Sequence, residues 1–236
     1  MATYVFVHGA WHGGWCWHRI VARLRRASHR AMAPDLYSLG RDQTPPGTVT
    51  LASWTEQIAA LAQSAAEPIV LVGHSRGGIV LSEVAERIPE RIRALVYVSA
   101  FLLEDGHCLQ DTAAEDTEAL VLPAIVVADD RQSATIRESA VREAFYGQCS
   151  DEDVVLAQSL LRPEPLAPLA TPVHVTARFG SVARIYVECT QDRAITHAAQ
   201  RRMQAALPCR ERVTLDADHS PFFCRAEELA AVLLRL

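Results

Sequence analysis

The stretch that constrains this chain most is Pro68-Ile69-Val70-Leu71-Val72-Gly73-His74-Ser75-Arg76-Gly77-Gly78. A short apolar run stops at glycine, and Ile79-Val80-Leu81 then opens a helical pattern. This is G-x-S-x-G set between a strand and a helix, the context of a nucleophile elbow. So sharp a turn forces strained backbone angles on Ser75, and its neighbours two residues to either side pack too closely for a Cβ. The turn lifts the Ser75 hydroxyl clear of the backbone. It also leaves the Arg76 amide at a free helix N-terminus, where negative charge is favoured. An ordinary Gly-rich turn would show the same five residues, so the assignment depends on what the remaining chain supplies.

The length of 236 residues suits one α/β domain with an insertion. A net charge of −5 gives no reason to expect nucleic acid or an anionic membrane as partner. All 23 basic residues are Arg. The absence of Lys excludes Schiff-base catalysis and a Lys general acid. The start, Met1 to Val7, has no basic region followed by a long apolar core, and no apolar run is long enough for a membrane span. The six Cys at 16, 108, 149, 189, 209 and 224 show no metal-binding spacing, so they read as buried reduced thiols of a cytoplasmic protein. No metal and no cofactor is expected.

Tyr4-Val5-Phe6-Val7 reads as a strand running into His8-Gly9-Ala10-Trp11-His12-Gly13-Gly14. Glycine there lets backbone amides approach a ligand, and the amide of Ala10 is the candidate second oxyanion donor. Trp11, Trp15 and Trp17 read as packing. His8 and His12 read as satisfied structural histidines, with His12 also a candidate for the pocket mouth. Helical spacing follows from Trp17 to Ala27, a second strand over Arg30–Asp35, a helix marked by Leu51, Trp54, Ile58 and Leu61, and strands at Ile69–Val72 and Ala94–Ser99.

From about Phe101 to Val182 the strand-helix alternation breaks into helices and turns with little strand character. Ser150-Asp151-Glu152-Asp153 resembles an N-cap with acids in the first turn. We read residues 101–182 as a helical cap inserted between the core segments 1–100 and 183–236. Its acidic pairs, Glu115-Asp116 and Asp129-Asp130, read as solvated faces. Parallel-strand grammar resumes at Arg184–Cys189 and Arg212–Leu215, with a helix over Thr196–Leu207 between them and another over Ala226–Leu234.

Ser75 needs a base, and the base an orienting acid. Reactive groups gather at the carboxyl ends of parallel strands. Two polar loops follow late strands, one holding Asp192 and one holding Asp216-Ala217-Asp218-His219-Ser220. Ser75, Asp192 and His219 form the catalytic set. Asp216 and Asp218 are rival acids, disfavoured because they share the loop of His219. His74 adjoins the nucleophile but points elsewhere on a tight turn, so it reads as packing.

The motifs quoted above, with Val96-Tyr97-Val98-Ser99-Ala100-Phe101, Cys149-Ser150-Asp151-Glu152-Asp153 and Cys189-Thr190-Gln191-Asp192, span nearly the whole chain. With them the sequence resembles the α/β-hydrolase fold, in the branch of plant methylesterases and hydroxynitrile lyases with their bacterial esterase relatives. The resemblance implies a mostly parallel central sheet flanked by helices, Ser75 as nucleophile, His219 as base, Asp192 as its partner, and the Ala10 and Arg76 amides as oxyanion hole. The lyases of this branch carry a Lys after the catalytic His, where this chain has Ser220, and a threonine where it has Gly9. Both departures argue against cyanohydrin cleavage.

The Arg76 guanidinium is an added charge at the elbow, with an ion pair as its expected use and contact with an acidic substrate group as the alternative. His12 and Ser220 are the candidate substrate contacts. The expected activity is hydrolysis of a small-molecule carboxylic ester through an acyl-enzyme. The alternatives are a tailoring enzyme of secondary metabolism on the same triad (a lactone or thioester hydrolase, or acetate elimination) and, from another class, a non-catalytic small-molecule receptor. A homodimer is left open.

Overall fold

A computed structural model describes residues 1–236. Strands β1 (Thr3–Val7), β2 (Arg30–Met32), β3 (Ile69–Ser75), β4 (Ile92–Ala100), β8 (Arg184–Cys189) and β9 (Glu211–Leu215) form one six-stranded sheet in the order β2-β1-β3-β4-β8-β9. Every neighbouring pair is parallel. A parallel sheet is covered on both faces, and the strands here obey a strict period of two. Val5, Val7, Leu71, Leu95 and Tyr97 pack on one side with Trp54 and Ile58 of α2 (Leu51–Ser64), Ile79 and Val84 of α3 (Gly77–Arg87) and Met203 of α9 (His197–Ala206). Tyr4, Phe6, Val70, Val72, Val96 and Val98 pack on the other with Ile20 and Leu24 of α1 (His18–Arg26) and Leu229 and Leu233 of α11 (Ala226–Leu233).

Helices α4 (Leu109–Ala114), α5 (Glu138–Phe145), α6 (Asp151–Leu160), α7 (Ala167–Ala170) and α8 (Ala177–Gly180) lie between β4 and β8. The expected helices are joined by a small antiparallel sheet, β5 (Ile125–Val127), β6 (Ser133–Ile136) and β7 (Glu164–Pro165), in the order β5-β6-β7. The stretch read as helices and turns with little strand character thus carries three short strands besides its helices. Strands of two to four residues are too short to show a period, so the pattern passes for loop. The end of the insertion docks on the core. Glu86 of α3 accepts from the Thr176 and Phe179 amides, and Arg178 donates to the Glu86 and Arg87 carbonyls. Ser150 caps α6 by accepting from the Asp153 amide at 3.2 Å. Asp153 in turn takes a two-pronged contact from Arg19 of α1, at 2.6 and 3.0 Å.

Asp116 departs from the solvated-face reading, because it is buried and grips the Thr196 amide and hydroxyl at 2.8 and 2.7 Å, setting the start of α9. All six cysteines are free. No helix is long and apolar enough to cross a membrane.

Candidate active site

Ser75 closes β3 with φ +52°, left-handed backbone that a non-glycine residue holds at a cost of about 1–3 kcal/mol. The elbow is packed against its surroundings without slack. A Cβ on Gly77 would come within 2.8 Å of the Val7 carbonyl oxygen, and one on Gly9 within 3.0 Å of Ser75 Cβ. Glycine lets α3 sit directly on β1 and lets the loop after β1 run beside the nucleophile.

His219 Nδ1 lies 2.7 Å from Asp192 Oδ2, with both side chains buried. The carboxylate takes the Nδ1 proton as its partner, which leaves Nε2 with a free lone pair, the tautomer a general base requires. Asp192 is held rigidly in turn. Its Oδ1 accepts from the Ala194 and Ile195 amides at 2.7 and 2.9 Å, and its Oδ2 accepts from the Ser99 hydroxyl as well as from His219. The carbonyl of His219 accepts from His74 Nε2 at 2.7 Å, and the two rings stand 4.4 Å apart. His74 thus ties the loop of His219 to the residue beside Ser75. No hydrogen bond joins Ser75 to His219 in this resting arrangement. Catalytic hydrogen bonds of ligand-free enzymes are often long and tighten only with substrate bound.

The rival acids are engaged elsewhere. Asp218 accepts from the Gln148 and Ser220 amides at 2.7 and 2.9 Å and from the thiols of Cys149 and Cys224. Asp216 accepts from Thr190 and Gln191. Cys149, Asp218 and Cys224 place three metal-type ligand atoms within 4.8 Å of one another. The contact with Cys224 and burial push the Cys149 thiol up, so it stays a protonated donor and the carboxylate is satisfied by protein groups.

The amides of Ala10 and Arg76 donate no hydrogen bond within the protein, and both residues line the cavity that holds Ser75. This cavity has a volume of about 460 Å³, within the range of small-molecule sites. Of its 29 lining residues 20 are hydrophobic, among them Trp11 from the loop after β1, Leu103, Val121 and Phe145 from the insertion, and Ile195 and Met203 from the core. Trp11 therefore belongs to the pocket, whereas Trp17 is core.

Two proposed substrate contacts need correction: neither His12 nor Ser220 lines the cavity, and both are buried. His12 Nδ1 donates to the Ala10 carbonyl at 2.6 Å, and its Nε2 accepts from the Tyr146 hydroxyl at 2.5 Å. Burial lowers His12 to about 4, so the ring is neutral near pH 7. Ser220 is shut in by the α10 turn (Pro221–Cys224).

The ion pair expected of Arg76 is present, and its partner is Glu164 of β7, 2.9 Å away. Arg76 Nη2 also donates to the Gly9 carbonyl at 3.0 Å, and its guanidinium carbon lies 4.2 Å from the centre of the Trp54 ring. Glu164 and Ser99 were missed by sequence reasoning. Only the lone Ser in the apolar run Ala94–Ala100 and the lone acid between Pro163 and Pro165 hinted at either.

The alpha/beta hydrolase family model matches residues 4–232. Salicylic acid-binding protein 2 of Nicotiana tabacum is 33% identical over 99% of this chain and 96% of that protein. Methylesterase 7 of Arabidopsis thaliana is 30% identical over 99% of this chain and 95% of its own length. The crystal structure of a methylesterase protein MES16 from Arabidopsis superposes with a TM-score of 0.86 at 25% identity, covering 100% of this chain and 98% of that one.

Proposed function

Because the chain belongs to the alpha/beta hydrolase family and is a carboxylic ester hydrolase, we propose that Ser75, His219 and Asp192 cleave the ester through an acyl-enzyme. The observation that carries the reading is the buried Asp192–His219 contact of 2.7 Å beside a cavity lined by Ser75 and two uncommitted amides. His219 Nε2 takes the Ser75 proton as the oxygen attacks the ester carbonyl. The amides of Ala10 and Arg76 receive the oxyanion, the latter with the positive end of α3 behind it. His219 then protonates the leaving alcohol and activates the water that releases the acid, while Asp192 stabilises the imidazolium. Residues 101–182 roof the cavity and exclude water from these steps.

The substrate is the methyl ester of a small, largely apolar carboxylic acid. Its support is the hydrophobic lining and the methylesterase names of the relatives. Ser75→Ala is expected to abolish both p-nitrophenyl acetate hydrolysis and labelling by a fluorophosphonate. Labelling that persists in this variant would move the nucleophile to another residue.

A further inference from the structure

We propose that the buried Arg76–Glu164 pair is a positioning device for the oxyanion hole, in which the Arg76 side chain aims the Ala10 amide and Glu164 holds both. The inference rests on the ester-hydrolase reading above. In a trans peptide the carbonyl and the following N–H point in opposite directions. The peptide between Gly9 and Ala10 is trans, and its carbonyl accepts from Arg76 Nη2 at 3.0 Å and from His8 Nδ1 at 2.9 Å. Two donors on the Gly9 oxygen fix the opposite direction of the Ala10 N–H, which is the free donor at the cavity. His8 serves with a defined tautomer, since its Nε2 accepts from the Leu36 amide at 3.1 Å. Burial and the Arg76 charge keep that ring neutral.

The next peptide is clamped at both ends. The Ala10 carbonyl accepts from His12, and the Trp11 amide donates to Glu164 Oε2 at 2.8 Å. Trp11 sits at φ +62°, a conformation that a bulky side chain holds only under outside constraint. Glu164 supplies that constraint, together with the Arg162 amide on the Trp11 carbonyl at 2.9 Å. The other oxygen of Glu164 meets Arg76 Nε. One carboxylate thus secures the residue after one oxyanion donor and the side chain of the residue bearing the other.

A pair that merely fastened β7 to the elbow would need no charge, because apolar side chains of similar volume hold buried surfaces together as well or better. A cation on the Gly9 oxygen does what an apolar contact cannot. It polarises that peptide and strengthens the Ala10 N–H as a donor to developing negative charge.

The test uses the full-length protein with Arg76→Met and Glu164→Met combined, and Arg76→Gln with Glu164→Gln as a second pair should the first fail to fold. Each is measured with p-nitrophenyl acetate, with an aryl trifluoromethyl ketone that forms a tetrahedral oxyanion on serine, and with the matching methyl ketone that does not. The expected result is a kcat lower by roughly 10- to 100-fold, less than outright loss of a donor, with KM changed less than about threefold. Affinity for the trifluoromethyl ketone falls in step with kcat/KM while that for the methyl ketone holds. The Gln pair, which keeps a neutral donor for the Gly9 oxygen, recovers part of the loss.

A folded variant with kcat within about twofold of the wild type, or one that loses both ketones equally, would overturn the assignment. Wild-type protein that neither turns over ester nor is labelled at Ser75 would instead mark failure of the underlying hydrolase reading, and the positioning role would go with it.

Discussion

Asp192 accepts from Ala194, Ile195, Ser99 and His219, so its orientation is set by backbone and side chain together. Asp192→Asn would turn a donor toward His219 Nδ1 or force the other ring tautomer, and Nε2 would lose its lone pair. The expected effect is a fall in kcat on the order of 10⁴-fold with the fold intact. Asp218→Asn, measured alongside by steady-state kinetics, should act on stability and leave kcat far closer to the wild type. His12 is one source of acid sensitivity. Its unfolded pKa is about 6.5 and burial lowers it to about 4 in the folded protein. Between those values the unfolded chain binds the extra proton, so stability is complete above about pH 6.5 and is lost as pH falls toward 4. The His12 share of that loss is about 3 kcal/mol. His8 and His74, also pushed down by burial, add to it in the same direction. Urea midpoints from pH 8 to pH 5 should decline, and less steeply in His12→Gln.

At the scale of elements, the elbow depends on α3 lying flush against β1. Gly77→Ala places a methyl within 2.8 Å of the Val7 carbonyl, where backbone rather than a flexible side chain must yield. The cost is about 1–3 kcal/mol of overpacking. Because the start of α3 carries the Arg76 amide, both the melting temperature and kcat of this variant should drop, by calorimetry and initial rates. The core elements were legible in the sequence, since β3, α3, β8 and α9 each show their own period and their own stops at Gly, Pro or Thr. Strands β5, β6 and β7 were not. Their two to four residues are selected by each other's hydrogen bonds rather than by a pattern along the chain.

For the molecule as a whole, the insertion and the loops at the carboxyl ends of β1, β3, β4 and β8 enclose the cavity between α4, α9 and the elbow. Ala113 of α4 lines it and is half-buried, so a larger side chain there fills space rather than splitting the core. Ala113→Trp is expected to raise KM for bulky aryl methyl esters at least tenfold and to leave p-nitrophenyl acetate nearly unaffected, as parallel Michaelis curves would show.

The sequence by itself determined the parallel sheet and the strand-to-helix turn at Ser75, and it nominated Asp192, His219 and the amides of Ala10 and Arg76 as the groups to gather there. Each depends on neighbours in the chain: a period, a turn, a loop after a strand. Only the tertiary structure decided that Ser99 steadies Asp192 from 93 residues away and that Glu164 reaches Trp11 across 153. It also removed His12 and Ser220 from the pocket. A polar group out of contact with water must find a donor or acceptor, but which one it finds follows from the sheet order and from the way the insertion folds back, and no local pattern records that choice.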